Sequence, residues 1–381
     1  MAKAVYVGVD SKAHKMKKAY IGIGGKARKV KKMYIGVGGK ARLCYSAELK
    51  KVGTATALGM PCLVLAAASV GDYALFAGRY QHLIMLGSPL PIDAYDTSLT
   101  KSSPTALSAE RKDCGAASIG DHALFAGGGD EHGNKVQSSV DAYDTSLTRS
   151  SAPALTGPRR LVGAAIAGDH ALFAGGVNRS GDTTRYYKTV DAYSASLTRT
   201  SVDTMSSGNG YSLKGTTVNK YALFAEEQYD SRVEAYSPSL TRVTVSPLSR
   251  SSPAYVVATA VGNYAIFSGS SPTADVYDGS LTKTTASILN RGRSSMAAVT
   301  VGDYALFAGG CPSTDTQSSQ GAVDDVDACD SSLTRTTAAA RSVKVTDSVA
   351  ATVGDYALFA GGYKYSTSNS GYSDTVDVYT A

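Results

Sequence analysis

Nine residues, GDYALFAGG from Gly302 to Gly310, recur along this chain and leave little choice about how it folds. They return as GDYALFAGR at Gly71, GDHALFAGG at Gly120 and Gly168, and GDYALFAGG at Gly354. Two divergent copies, NKYALFAEE at Asn219 and GNYAIFSGS at Gly262, make seven. Each is followed by a second block of the type VDAYDTSLTRSS (from Val140), VDAYSASLTRTS (from Val190) or VEAYSPSLTRVT (from Val233). Strand-like units repeating every ~40–50 residues are the mark of a β-propeller. The expected fold is all-β, a seven-bladed propeller over residues 44–381, preceded by a small β-repeat arm over 1–43.

One blade can be read strand by strand. In the third, strand a covers about Val162 to Ala167, Gly168-Asp169 makes a two-residue hairpin turn, and strand b covers about His170 to Ala174. A variable loop runs from Gly175 to Thr189; strand c is Val190 to Tyr193, and strand d about Leu197 to Val202. No helical period occurs at any length. The last copy stops at Val376–Ala381 without its SLTRTS strand. The missing strand lies at the other end, where Tyr45 to Leu58 aligns with YDTSLTRSSAPAL. The early segment is therefore expected to be the outer strand of the last blade, closing the ring and removing its open edges.

The pattern resembles the kelch family of propellers. The resemblance rests on the glycine pairs Gly127-Gly128, Gly175-Gly176, Gly309-Gly310 and Gly361-Gly362, the strand-c tyrosine, and a basic residue before strand a (Arg111, Arg160, Arg293, Arg341). The family implies six or seven blades. Its strand-d Trp is absent, because the chain has no Trp. Some kelch proteins are copper radical oxidases and others sugar epimerases, so the resemblance carries a carbohydrate-active enzyme as an alternative. The five histidines include His122 and His170, which replace the repeat's Tyr in consecutive blades and read as packing variants. Asp130-Glu131-His132 and the aspartates near Asp325 lack calcium-loop spacing. No metal or other cofactor is expected, and the chain is read as not an enzyme.

Charge divides the chain in two. Residues 1–43 hold twelve Lys and Arg against one Asp, a net of +11, whereas the rest carries −5. The arm repeats every fourteen residues: Tyr6, Tyr20 and Tyr34 are in register, as are Lys12, Lys26 and Lys40. Alternation within a unit is strand-like, and the Gly-Gly-Lys-Ala segments supply turns, so a lysine-studded β-meander is expected. Three such strands bury too little to stand alone. The arm, which includes those six residues as its anchoring positions, is expected to be ordered against another copy, the propeller or a host assembly. Lysines on strand edges protect against aggregation, and nucleic acid is not the expected partner. The arm resembles repeats at the start of minor structural and tail proteins of phages from Gram-positive bacteria. That resemblance implies a virion protein assembled in the host cytoplasm. The start, MAKAVYVGVD, lacks the apolar core of a secretory leader, and no run is long enough to cross a bilayer. The five cysteines form no CxxC pair; Cys329 stands where the repeat has Tyr.

Function is expected on one face. The a–b and c–d turns are short and uniform, whereas the b–c and d–a loops vary, and variable loops on a constant scaffold carry binding. The candidate ligand-binding residues are Tyr80, His82, Arg111, Arg160, Tyr186, Tyr187, Tyr229, Arg293, Tyr363, Tyr365 and Tyr372. Tyrosine planes with Arg offer the stacking area and polar handles that a glycan or protein surface needs. In the competing reading the tyrosines only decorate the loops and the arginines only hold strand a in place. The expectation is a non-enzymatic structural and host-recognition protein, tail- or fibre-associated, with a possible homo-oligomer and a bacterial interaction scaffold as further alternatives.

Overall fold

The computed structural model describes residues 48–80, 92–109, 111–129, 135–180, 183–206, 212–226, 231–249, 255–312, 321–364 and 370–381, together with six backbone segments of the arm (6–9, 12–15, 19–23, 26–30, 32–37 and 40–46). Among the described residues all regular structure is β, and seven four-stranded antiparallel sheets follow the order a-b-c-d from channel to rim. The fold is a seven-bladed β-propeller. In blade 3 the strands are Gly163–Ala167, His170–Ala174, Val190–Ser194 and Arg199–Ser201.

Strand b explains why the blades stack. Along YALFA, successive side chains point to opposite faces of the sheet. Ala74 and Phe76 of blade 1 therefore face blade 7, while Leu75 and Ala77 face blade 2. The same alternation gives seven separate apolar cores, one between each pair of neighbours and including one between blades 7 and 1. A linear stack of seven blades would have six, so the ring is closed. In six blades the strand-b Phe meets the strand-c Tyr edge to face, with centroids 5.6–6.1 Å apart. In blade 6 Cys329 takes the tyrosine's place and is fully buried, as a packing substitute would be.

The turns differ in one respect from the expected blade. The c–d leucine, read as the start of strand d, sits within the turn in the left-handed region: Leu99, Leu147, Leu197, Leu240, Leu281 and Leu333 all have φ between 59° and 66°. That conformation costs an L-residue about 1–2 kcal/mol. It is offset by packing the leucine, partly buried, against the inter-blade cores. The preceding aspartate closes the turn: Asp144 accepts from the Ser146 and Thr148 amides and from the Ser146 hydroxyl. On the same face, the a–b turn glycine approaches the c–d turn of the next blade. Gly120 has φ +54°, and a Cβ there would lie 2.7 Å from Ala195 Cβ, so both backbone and space require glycine.

Closure follows the expected three-plus-one scheme, but Cys44–Ser46, expected within the propeller, instead end the third hairpin of the arm. Lys50–Thr54 pairs with Val376–Thr380, and Thr380 is opposite Lys50. The register shifts by one residue between Val378 and Tyr379, leaving Val52 as an extra residue that is 50% exposed. This bulge lets two distant stretches of chain fit where other blades use a continuous turn. Lys51 reaches Asp377 at 2.8 Å, where Arg149 reaches Asp141 at 3.1 Å in blade 2.

The arm departs from the expected single meander. Each fourteen-residue unit forms its own two-stranded hairpin: Tyr6–Val9 with Lys12–Lys15, Ala19–Ile23 with Lys26–Val30, and Lys32–Val37 with Lys40–Ser46. In the second and third units the Gly-Gly pair falls in sequence between two strands that pair with each other, so one unit supplies two strands rather than one. Tyr6, Tyr20 and Tyr34 sit on the outgoing strands, and Lys12, Lys26 and Lys40 open the return strands.

Strand a of each blade lines a central channel with small side chains. Hydroxyls stitch neighbouring inner strands together: Ser118 Oγ donates to the Ser69 carbonyl at 2.5 Å, Ser69 Oγ to the Thr352 carbonyl at 2.6 Å, and Thr217 Oγ1 to the Ile166 carbonyl at 3.0 Å.

Two outcomes follow for stability. Asp377→Asn leaves Arg341 buried without its countercharge and is expected to cost about 3–5 kcal/mol; Lys51→Met, which leaves the Arg341 pair intact, is expected to cost about 1 kcal/mol. Urea denaturation of the two variants orders them. Burial alone would raise the Asp377 pKa, but Lys51, Arg341 and Ser342 outweigh it and hold the group below the usual carboxylate range. Asp96, Asp144 and Asp278 are also held low, first by the Ser hydroxyl two residues on and then by a Thr amide. A depressed folded pKa stabilises the fold above the unfolded value of about 3.9, and that contribution is lost as pH falls through the folded value. The urea midpoint should therefore be nearly flat from pH 5 to 7 and fall below about pH 4.

Candidate binding face

The b–c and d–a loops share the face where strand a begins, and the glycine pair after strand b shapes it. Gly127 and Gly128 have φ +67° and +96°, and a Cβ on Gly128 would lie 2.7 Å from the Lys112 carbonyl. The chain can therefore turn under its own d–a loop, giving short bridges such as Lys112 with Gly129, Arg160 with Val177 and Thr346 with Tyr363. Gly128 N–H also donates to the Arg159 carbonyl of the next blade at 2.9 Å. The b–c loop of blade 3 rises above this layer as a hairpin, Val177–Ser180 with Thr183–Tyr186, which the blade pattern did not foretell.

The structure divides the candidate residues. Arg111 and Arg293 are not on the face. Their side chains are fully buried, 2.6 and 2.7 Å from Asp141 and Asp327. Arg111 also donates to the carbonyls of Gly127 and Ser139, and Arg293 to those of Gly309 and Asp325. These arginines cap the ends of strand b from within. They correspond to the competing reading in which such residues hold strand a. Burial lowers the Arg293 pKa, although Asp327 and Asp325 oppose the shift. In blade 3 the buried position belongs to Arg159, 2.7 Å from Asp191. Arg160, one residue on, remains near the surface and pairs across the blade boundary with Asp113 at 2.9 Å.

Tyr187 is also interior. It is 6% exposed, with the guanidinium groups of Arg185 and Arg159 4.8 and 5.6 Å from its ring centre. Tyr186, its neighbour on the hairpin, is 41% exposed. Tyr363 and Tyr372 are half-buried and pack edge to face at 5.4 Å across the short b–c hairpin of blade 7. The side chain of Tyr80, and His82, Tyr229 and Tyr365 entirely, lie outside the described residues, as do the side chains of the six arm positions. His122 and His170 open strand b of blades 2 and 3 in half-buried positions. Among the described residues no group of three or more His, Cys, Asp or Glu is placed to hold a metal ion.

Sequence reasoning missed the channel mouth. There the chain forms a cup of about 410 Å³ whose wall includes Asp113, Lys214, Tyr255, Ser295 and Asp347. Asp113, Tyr255, Ser295 and Asp347 each immediately precede the first core residue of a blade and have φ of 56°, 62°, 52° and 53°. Leu161 and Ser212 hold the same position in blades 3 and 4, with φ 59° and 52°. The left-handed turn lets each d–a loop drop into strand a, and amides link the mouth: Leu161 N–H donates to the Asp113 carbonyl at 2.8 Å and Asp347 N–H to the Ser295 carbonyl at 3.0 Å. The one sequence signal was an aromatic, Tyr255, at a position otherwise filled mainly by Asp and Ser.

The two kinds of residue are separable by experiment. Arg293→Ala is expected to destabilise the fold by about 3–5 kcal/mol, because it strands a buried carboxylate. Tyr186→Ala should stay within about 0.5 kcal/mol of the parent. Thermal melts of the two variants check this.

No protein-family model and no curated protein sequence matches the chain. Among solved structures, one described as "Structure of YjhT" superposes with a TM-score of 0.53 at 12% identity, covering 70% of this chain and 97% of that one. At that identity the likeness speaks for the fold alone, and it agrees with the propeller seen here.

Proposed function

We propose that this chain is a non-enzymatic structural and binding protein of a phage virion, tail- or fibre-associated, whose loop face binds a glycan or protein and whose basic arm anchors it. The observation that carries the reading is the contrast between the two parts. The propeller is closed and self-sufficient, with every blade seated on two neighbours. The arm carries +11 and forms three separate hairpins of two strands each. An isolated two-stranded hairpin is marginal in water, so the arm gains its order from a partner, and its charge suits an acidic surface of a larger assembly. On the propeller, constant turns on one face and variable loops on the other supply the asymmetry of a binding scaffold. The kelch-like repeat and the arm's likeness to phage tail repeats point the same way.

Deleting residues 1–43 should leave a soluble propeller with an unchanged melting temperature that no longer co-purifies with assembled particles. Retained incorporation, read by immunoblot of purified particles, would remove the anchoring role.

A further inference from the structure

The channel mouth has features that blade construction alone does not require. Tyr255 is 45% exposed and belongs to none of the seven apolar cores. Its φ of 62° is unusual for a bulky side chain. The blade entry imposes that φ at the same position of six blades, so what sets Tyr255 apart is its exposed ring area. The ring lines a cup whose inner wall is built of small residues such as Ala116, Gly215 and Ala298. At about 410 Å³ the space lies in the range of small-molecule sites, roughly 300–1,000 Å³.

The lining of the cup carries Asp113 and Asp347 against Lys214. Asp113 is paired with Arg160 at 2.9 Å. Lys214 comes from blade 4 and Asp347 from blade 7, so one cation and one carboxylate enter from well-separated blades of the ring. Ser295 adds a hydroxyl. The cup thus offers an aromatic plane, an apolar wall, two carboxylates that accept from hydroxyls, and one cationic side chain, Lys214. Stacking on one side with donors and acceptors around the edge suits a polyhydroxylated ring. The excess of one carboxylate in the lining disfavours an anionic ligand, which would place its charge beside Asp347.

We propose that this cup binds a neutral saccharide unit, with a sugar face stacked on Tyr255 and ring hydroxyls bonded to Asp347 and Asp113. The proposal rests on the loop face being the binding face and narrows its ligand.

Saturation-transfer NMR on the full chain tests it, with methyl α-glucopyranoside, methyl β-galactopyranoside and N-acetylglucosamine as neutral probes and N-acetylneuraminic acid as the anionic comparator. At least one neutral sugar should receive saturation on one ring face. Tyr255→Asn should weaken that binding by about tenfold or more, while melting no lower than the parent because Asn tolerates the left-handed region. Asp347→Asn should also weaken it, and Asp169→Asn, in an exposed a–b turn on the opposite face, should not. The proposal is overturned if no neutral probe is saturated, if the anionic sugar is preferred, or if Tyr255→Asn binds as the parent does. Binding of the propeller to host cells, measured on the same variants, separates the two readings: cell binding without sugar contact removes the cup but leaves the face.

Discussion

The rest of the blade depends on one buried carboxylate. The strand-c acid (Asp93, Asp141, Asp191, Glu234, Asp275, Asp327 and Asp377) is buried in all seven blades. A carboxylate out of water is costly unless paired and hydrogen-bonded. In blades 2, 3, 6 and 7 a buried arginine from the d–a loop meets it from one side. In every blade a Lys or Arg of strand d lies on its other side, between 2.8 and 3.9 Å away. Backbone and hydroxyl donors contribute as well, as Ser249 does to Asp275 and Gly59 to Asp93. Loss of the acid or of the buried arginine leaves its partner charge buried, at a cost of about 3–5 kcal/mol.

That arrangement joins the pieces that the chain must bring together. The acid belongs to strand c, one cation to strand d, the other to the loop that enters strand a, and the arginine's remaining donors reach carbonyls at the end of strand b. The strand-c tyrosine adds a further tie, since Tyr143 donates to the Thr105 carbonyl and Tyr193 to the Pro153 carbonyl in the connections that enter their own blades. At the seam the same chemistry appears with Lys51 supplied from the other end of the chain. Closure therefore relies on both apolar packing and a charge that only the returning segment brings.

Because the arginines are used in this way, they are withdrawn from the loop face. What remains for recognition is what the blade does not need: the hairpin bearing Tyr186, the Tyr363–Tyr372 pair, and the cup around Tyr255. The arm has the opposite character. Its described strands pair as two-stranded hairpins, which are marginal in water on their own.

The repeat by itself determined the architecture. Seven copies of an alternating strand, each bounded by turn residues, admit few arrangements, and the truncated last copy with its complement near Lys51 revealed the closure. The carboxylate position was also visible as a regular Asp, and its regularity spoke for structure over chemistry. Side-chain destination was not legible. Arg111 and Arg160 look alike before strand a, but one is buried and the other is not, because a one-residue offset decides which points inward. Leu147 reads as a strand residue, yet the turn takes it into the left-handed region to reach a core. The channel mouth showed in the sequence only as one odd aromatic, Tyr255. Its residues lie some 40 or more positions apart in the chain, and only the closing of the ring brings Asp113, Lys214, Tyr255 and Asp347 around one space.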